Sequence, residues 1–146
     1  MTILDVLKED HKEVDEFLKR ISRVRTAKSR EKYFVEMKQS LEMHSYLEQL
    51  IFYRALLESS NGQKVVEHAV EEHQQITDQM AELDSLPKDD PDWMPKFRVL
   101  KGSIEDHVQE EETDLFERAK KSLSEERLTT LGAEMATKKA EQIAVQ

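Results

Sequence analysis

Residues 34–55 read FVEMKQSLEMHSYLEQLIFYRA. Positions 34, 37, 41, 51 and 55 are Phe, Met, Leu, Ile and Ala, the three-and-four spacing that lays one apolar stripe along a helix. Positions 44 and 48 continue the same stripe but are His44 and Glu48. A helix packed on this face therefore carries an imidazole and a carboxylate into the core, one turn apart. An unpaired buried carboxylate costs several kcal/mol even after relaxation, so the pair demands a compensating positive charge.

The same interruption recurs in three further segments. The first helical stripe runs 4, 7, 11, 14, 18, 21 from a plausible N-cap at Thr2, with His11 among Leu and Val. The third runs 66, 70, 73, 76, 80, with His73. The fourth runs 93, 97, 100, 104, 107, 111, with His107 and Glu111. Residues i and i+4 lie about 40° apart around a helix, so His44/Glu48 and His107/Glu111 each project as a pair. His11 precedes His44 by 33 residues and His73 precedes His107 by 34, while both H-x-x-x-E pairs stand 63 apart. Two such halves about a pseudo-twofold axis would set one cation near each half and both Glu across the middle. One H-x-x-x-E pair alone is an ordinary helical contact. Six inward ionisable groups in matched halves are read as a metal site.

The rest of the chain fits an all-α fold. With 146 residues, three Gly and three Pro, it has room for one core and favours long helices over a turn-rich sheet. The second segment opens near Ser29 and stops at Asn61-Gly62. Residues 85–92 form a polar connection in which Asp90-Pro91 resembles an N-cap followed by Pro at the first helical position. Short connections imply an up-down-up-down four-helix bundle over residues 1–120. A shorter fifth helix carrying Leu128, Leu131 and Met135 is expected within 121–146, ahead of a fraying polar tail.

A formal charge of −9 disfavours nucleic acid and anionic membrane as partners. No Cys is present, so a disulfide, a thiolate metal site and a thiol nucleophile are excluded, and any metal must sit on imidazole and carboxylate. Without an apolar signal core in MTILDVLKEDHKEV or a bilayer-length apolar run, the expected location is cytoplasmic. Nitrogen and oxygen donors suit Fe, Mn and Zn. Iron is the choice, because a redox metal gives an open position a use where no other catalytic group is in sight.

The elements EDHKEV (9–14), MHSYLEQLIFY (43–53), EEHQQI (71–76) and DHVQEEETDLF (106–116) resemble the hemerythrin-like HHE cation-binding family over residues 1–120. The resemblance implies a four-helix bundle with a carboxylate-bridged, oxo- or hydroxo-bridged pair of Fe ions that binds dioxygen or a related diatomic. It makes Glu48 and Glu111 the bridging carboxylates, with His11 and His44 on one iron and His73 and His107 on the other. Tyr53 and Phe116, each nine residues after a helix His, stand where the family often has an aromatic shielding the pocket.

The oxygen carriers of that family have a second His four residues from the first on helix three; here those places are Ala69 and Thr77, and His68 is out of phase and reads as solvent-facing. Water, an exogenous ligand or Glu72 could take the vacated place. Of Glu110, Glu111 and Glu112, only the middle one reads as inward. The leading expectation is a non-haem di-iron protein that binds dioxygen or nitric oxide for sensing, storage or delivery. The alternative is a di-iron enzyme that decomposes hydrogen peroxide or acts in oxidative or nitrosative stress defence.

Overall fold

The computed structural model describes residues 1–59 and 62–145, and among these there is no strand. The helices are α1 (Ile3–Arg23), α2 (Ala27–Leu47), α3 (Arg54–Glu58), α4 (Gln63–Ser85), α5 (Trp93–Glu110), α6 (Phe116–Ser122) and α7 (Glu125–Val145). A wider π-helical turn, Glu48–Tyr53, joins α2 to α3, and a second, Glu111–Leu115, joins α5 to α6. The backbone stays right-handed helical through both turns, so α2–α3 and α5–α6 are each one continuous rod. With α1 and α4 these rods make the four-helix bundle expected from the stripes, and α7 adds a fifth helix against α1.

Local chemistry fixes most of the helix starts. The Thr2 hydroxyl accepts from the Asp5 N–H, while the Asp5 carboxylate accepts from the Thr2 N–H at 3.0 Å, a reciprocal cap on α1. Helix α2 opens at Ala27, earlier than the Ser29 expected, because the Thr26 hydroxyl caps it by accepting from the Ser29 N–H at 3.2 Å. Asp90-Pro91 is not the start of α5. Asp90 accepts from the Asp92 N–H at 2.8 Å and forms a turn, and the helix begins at Trp93. The rod of α2–α3 ends at Glu58 with Ser59 extended; Asn61 lies outside the described residues, and Gly62 is the N-cap of α4.

The buried stripe of α4 runs through Ala69 rather than Val70, which is exposed. Val66, Ala69, His73, Ile76, Met80 and Leu83 are the buried set, a cleaner three-and-four repeat than the one through position 70. The fifth helix continues for 21 residues through the stretch expected to fray. Its Leu128, Leu131 and Met135 are buried, and Gly132 lets it lie directly on the start of α1. A Cβ at Gly132 would stand 2.7 Å from the Met1 carbonyl oxygen and 2.8 Å from the Ile3 nitrogen.

The apolar core is split into two slabs. One gathers Leu7, Leu47, Phe52, Leu56, Phe116 and Met135; the other gathers Leu18, Phe34, Met37, Trp93, Phe97 and Leu100. Along α1 the first slab holds Leu4 and Leu7 and the second Val14 and Leu18, with His11 between. The polar residues of the stripes thus form a single layer sandwiched by hydrocarbon.

Candidate metal centre

All six sequence-predicted residues meet in that layer, and each is nearly or fully buried: His11, His44, His73 and His107 at 5–6% exposure, Glu48 at 0% and Glu111 at 1%. They form two interlocking sets whose donor atoms lie within 4.8 Å of one another: His11, His44, Glu48 and Glu111, and Glu48, His73, His107 and Glu111. Both carboxylates belong to both sets. Glu48 Oε1 is 3.6 Å from His44 Nε2 and 3.1 Å from His73 Nε2. Glu111 stands 3.2 Å from His11 Nε2 and 3.4 Å from His107 Nε2. Each Glu therefore reaches one His on either side, which is the geometry of a shared ligand.

Each carboxylate is also the first residue of a π-helical turn. The wider turn brings residue i+5 beside residue i, and such turns recur at functional sites. Tyr53 follows Glu48 by five, and its single hydroxyl proton faces both carboxylates, the oxygen lying 2.5 Å from Glu111 and 3.0 Å from Glu48, with His73 Nε2 at 3.2 Å. Phe116 follows Glu111 by five and stacks on the His11 ring at 6.4 Å. The two aromatics thus take equivalent posts, but only Tyr53 brings a polar atom to the carboxylates. Ala69, one of the two places open to a further His, is buried in the apolar slab that also holds Tyr53, and at the other Thr77 donates its hydroxyl to the His73 carbonyl at 2.9 Å.

Every imidazole turns Nε2 inward and is held from behind at Nδ1. His11 meets Glu112 at 2.6 Å, His44 meets Asp10 at 2.9 Å, His73 meets Gln49 at 3.0 Å and His107 meets Glu72 at 2.8 Å. A partner at Nδ1 fixes the ring's orientation and leaves Nε2 as the donor for a metal. Two expectations are corrected here. Glu72 supports His107 from outside and does not take the place of a missing ligand. Glu112 is not merely solvated, because it is the support of His11. His68 is solvent-facing as predicted, its side chain 56% exposed and paired with Glu110 at 3.1 Å.

The electrostatics describe a site short of positive charge. Burial, reinforced by Glu111, pushes the Glu48 carboxyl well above its ordinary range. For Glu111 burial acts in the same direction, but close polar contacts with Glu48, His107 and His11 outweigh it and hold this carboxyl well below the usual range. The two carboxylates are therefore driven apart, Glu48 toward its protonated form and Glu111 toward its ionised one. Burial lowers His73, helped by the neighbouring His107, to about 3. Burial also opposes charge on His11 and His107, yet Glu111 and their outer carboxylates raise both above the ordinary value.

Three buried polar atoms in the layer lack a hydrogen-bond partner: His11 Nε2, Glu48 Oε2 and Glu111 Oε1. The 3.2 Å approach of His11 to Glu111 is not aligned to satisfy either atom. All three point into the cluster and are metal-donor types, so the residues present fit a cation bound among them.

The bundle and its buried His/Glu layer define a metal-binding helical protein, and the comparisons name the class. The model of the family "Hemerythrin HHE cation binding domain" matches residues 2–119, and the chain belongs to that family. A crystal structure of a hemerythrin HHE cation-binding domain-containing protein from Mycobacterium kansasii is similar, with a TM-score of 0.88 and 27% identity, covering 97% of this chain and 86% of that one. A DNA nickase from Nostoc sp. is 22% identical over 140 residues, 96% of this chain. The chain spans 40% of that relative's length. No helix among the described residues is long and apolar enough to cross a membrane.

Proposed function

We propose that this metal-binding domain holds two iron ions, bridged by Glu48 and Glu111, with His11 and His44 serving one and His73 and His107 the other, and that it captures dioxygen or nitric oxide there. The observation that carries the reading is the double membership of both carboxylates in two four-residue donor sets inside one dry layer. A pair of ferrous ions supplies the two electrons that reversible capture of dioxygen requires.

The chain's own residues provide the rest. A cavity of about 20 Å³ lies against the four His rings and is otherwise walled mainly by Val14, Leu41, Ile76, Ile104 and Val108. That is room for about one water-sized particle, hence for a diatomic but not for an organic substrate. Its apolar wall excludes water, while Asp10, Gln49, Glu72 and Glu112 hold the imidazoles in place.

The test is to load the protein with Fe(II) anaerobically, measure bound iron, and follow the absorption spectrum on admitting oxygen. Two irons per chain and a new near-ultraviolet band that reverses on degassing are expected. Glu48→Ala or Glu111→Ala should lower bound iron to one or none, because each carboxylate serves both ions. Full stoichiometry in either variant would refute the bridging assignment.

A second reading, decomposition of hydrogen peroxide, is favoured by Tyr53, a phenolic proton donor placed on both carboxylates and His73. Oxygen evolution from added peroxide at a rate far above free iron, lost in Tyr53→Phe, would select it.

A further inference from the structure

Three of the four outer supports end at the protein surface or at a neutral amide, and one does not. Glu112 and Glu72 are partly exposed, their side chains 32% and 20% accessible, and Gln49 carries no charge. Asp10 is the buried one, at 7%, and its second carboxylate oxygen is held by an ion pair from another helix. Lys139 Nζ donates to Asp10 Oδ1 at 2.6 Å, while Asp10 Oδ2 meets His44 Nδ1 at 2.9 Å. Lys139 lies on α7, outside the four-helix bundle. The stripe that buries Leu128, Leu131 and Met135 reaches Lys139 at its next turn, and the Gly132 contact sets how close α7 lies to α1.

We propose that α7 completes the metal centre through Lys139, a positioning residue that acts by way of Asp10 on His44. The inference rests on the assignment of His44 as a ligand. A carboxylate oriented by one oxygen only is free to swing. Asp10 has somewhere to swing to, because a cavity of about 210 Å³ opens beside it, bounded by Glu13, Glu36, Ser40 and His44. Lys139 spans the edge of that cavity and clamps the carboxylate in the orientation that holds the His44 ring and keeps Nδ1–H toward Asp10. Lys139 Nζ and the buried Asp10 carboxylate stand at ion-pair distance, so the clamp is a charge-assisted bond. The halves of the centre are thereby made unequal. The His44 side is fastened through buried Asp10 to a partly exposed lysine on α7, and the His73 side rests on an amide.

The test uses the full-length chain and Co(II) alone as the probe, with affinity measured by chelator competition and the visible bands of Co(II) reporting its coordination. Removing the hydrogen-bond partner of a metal-bound imidazole costs about 10–100-fold in affinity. Lys139→Met should weaken one of two Co(II) ions by roughly tenfold, the lower end of that range, and leave the other within twofold. Lys139→Arg should restore the loss. Asp10→Ala should lose at least as much, and adding Lys139→Met to it should cost nothing more, since the lysine acts only through the aspartate.

In the metal-free protein, the His44 Nδ1–H resonance should be sharp in wild type and Lys139→Arg and exchange-broadened in Lys139→Met. Wild-type affinity in Lys139→Met, additive losses in the double variant, or no rescue by Arg would each overturn the proposal. A merely structural role for α7 would lower melting temperature without selecting one ion. Failure of the wild type to bind two Co(II) ions would instead count against the two-metal reading itself.

Discussion

Replacing Glu48 by Gln should make the metal-free protein more stable and the metal-loaded protein less so. Glu48 is fully buried, its carboxyl is held well above the ordinary range by burial and by Glu111, and its Oε2 has no partner. At neutral pH the unfolded chain ionises this group freely, while burial and Glu111 make its ionisation costly in the folded, cation-free chain. The sign follows directly. A folded-state pKa above the unfolded one gives stability that is present below about pH 4.5 and is lost as pH rises towards the folded value. Gln is isosteric, needs no proton and can still accept from Tyr53. Leaving one buried polar atom unsatisfied costs about 1–3 kcal/mol. The layer has three such atoms, so part of the fold's stability is forgone until a cation arrives.

Glu48→Gln removes the ionisable group that burial and Glu111 disfavour, so the metal-free variant should gain about 1–3 kcal/mol at pH 7, the scale of one buried polar mismatch. At this chain length that corresponds to a melting temperature roughly 3–12 °C higher. Thermal unfolding in the presence of a chelator, with and without an excess of divalent metal, measures both arms. Wild type should rise steeply on adding metal and the variant hardly at all. The pH leg from about 5 to 7, falling for wild-type apoprotein, should flatten in the variant. A metal-free Glu48→Gln protein less stable than wild type, or one that metal stabilises equally, would refute the reasoning.

Other outcomes follow from the same contacts. His68→Ala should leave the two buried ions in place, since His68 is solvent-facing and belongs to neither buried donor set, its own grouping being the exposed one with Glu72 and Glu110; metal analysis checks it. Gly132→Ala should destabilise by about 1–3 kcal/mol, because the new Cβ meets backbone of residues 1–3 that cannot rotate away, and urea unfolding reads the loss. Metal binding should release protons and strengthen as pH rises through neutrality, because Glu111 raises His11 and His107 and both must be neutral to ligate. Calorimetric titration in two buffers of different ionisation enthalpy counts the protons, and a count of zero would contradict the pKa directions.

Much of this centre was legible before any coordinates, because burial on a helix is periodic and six violations of that period had to share a compensating charge. What the stripes could not give is equally physical. The α4 stripe misread Val70 for Ala69 because both are apolar and adjacent, and only packing decides which one faces in. The Asp90-Pro91 start failed because Asp90 spends its side chain on the Asp92 N–H, closing a turn before the helix. The π-helical turns left no mark in the period at all. Inserting one residue per turn at Glu48 and Glu111 changes which neighbours face them, and that is why Tyr53 reaches both carboxylates while three-and-four counting gives it no such role.

The outer supports carry a signal that can be read once it is known. Asp10 flanks His11, Gln49 flanks Glu48, Glu72 flanks His73 and Glu112 flanks Glu111. A neighbour in sequence is turned about 100° around the helix, which aims it at an adjacent helix rather than at the layer. Four of the six inward residues thus bring, one position away, the polar group that steadies an imidazole on another rod: Asp10 of α1 on His44, Glu72 of α4 on His107, Gln49 on His73 and Glu112 on His11. The layer is therefore cross-braced, with every helix supplying both a donor and a brace for someone else's donor. Misplacing one rod would disturb two imidazoles at once, so a packing defect in any of the four rods should lower cation affinity as well.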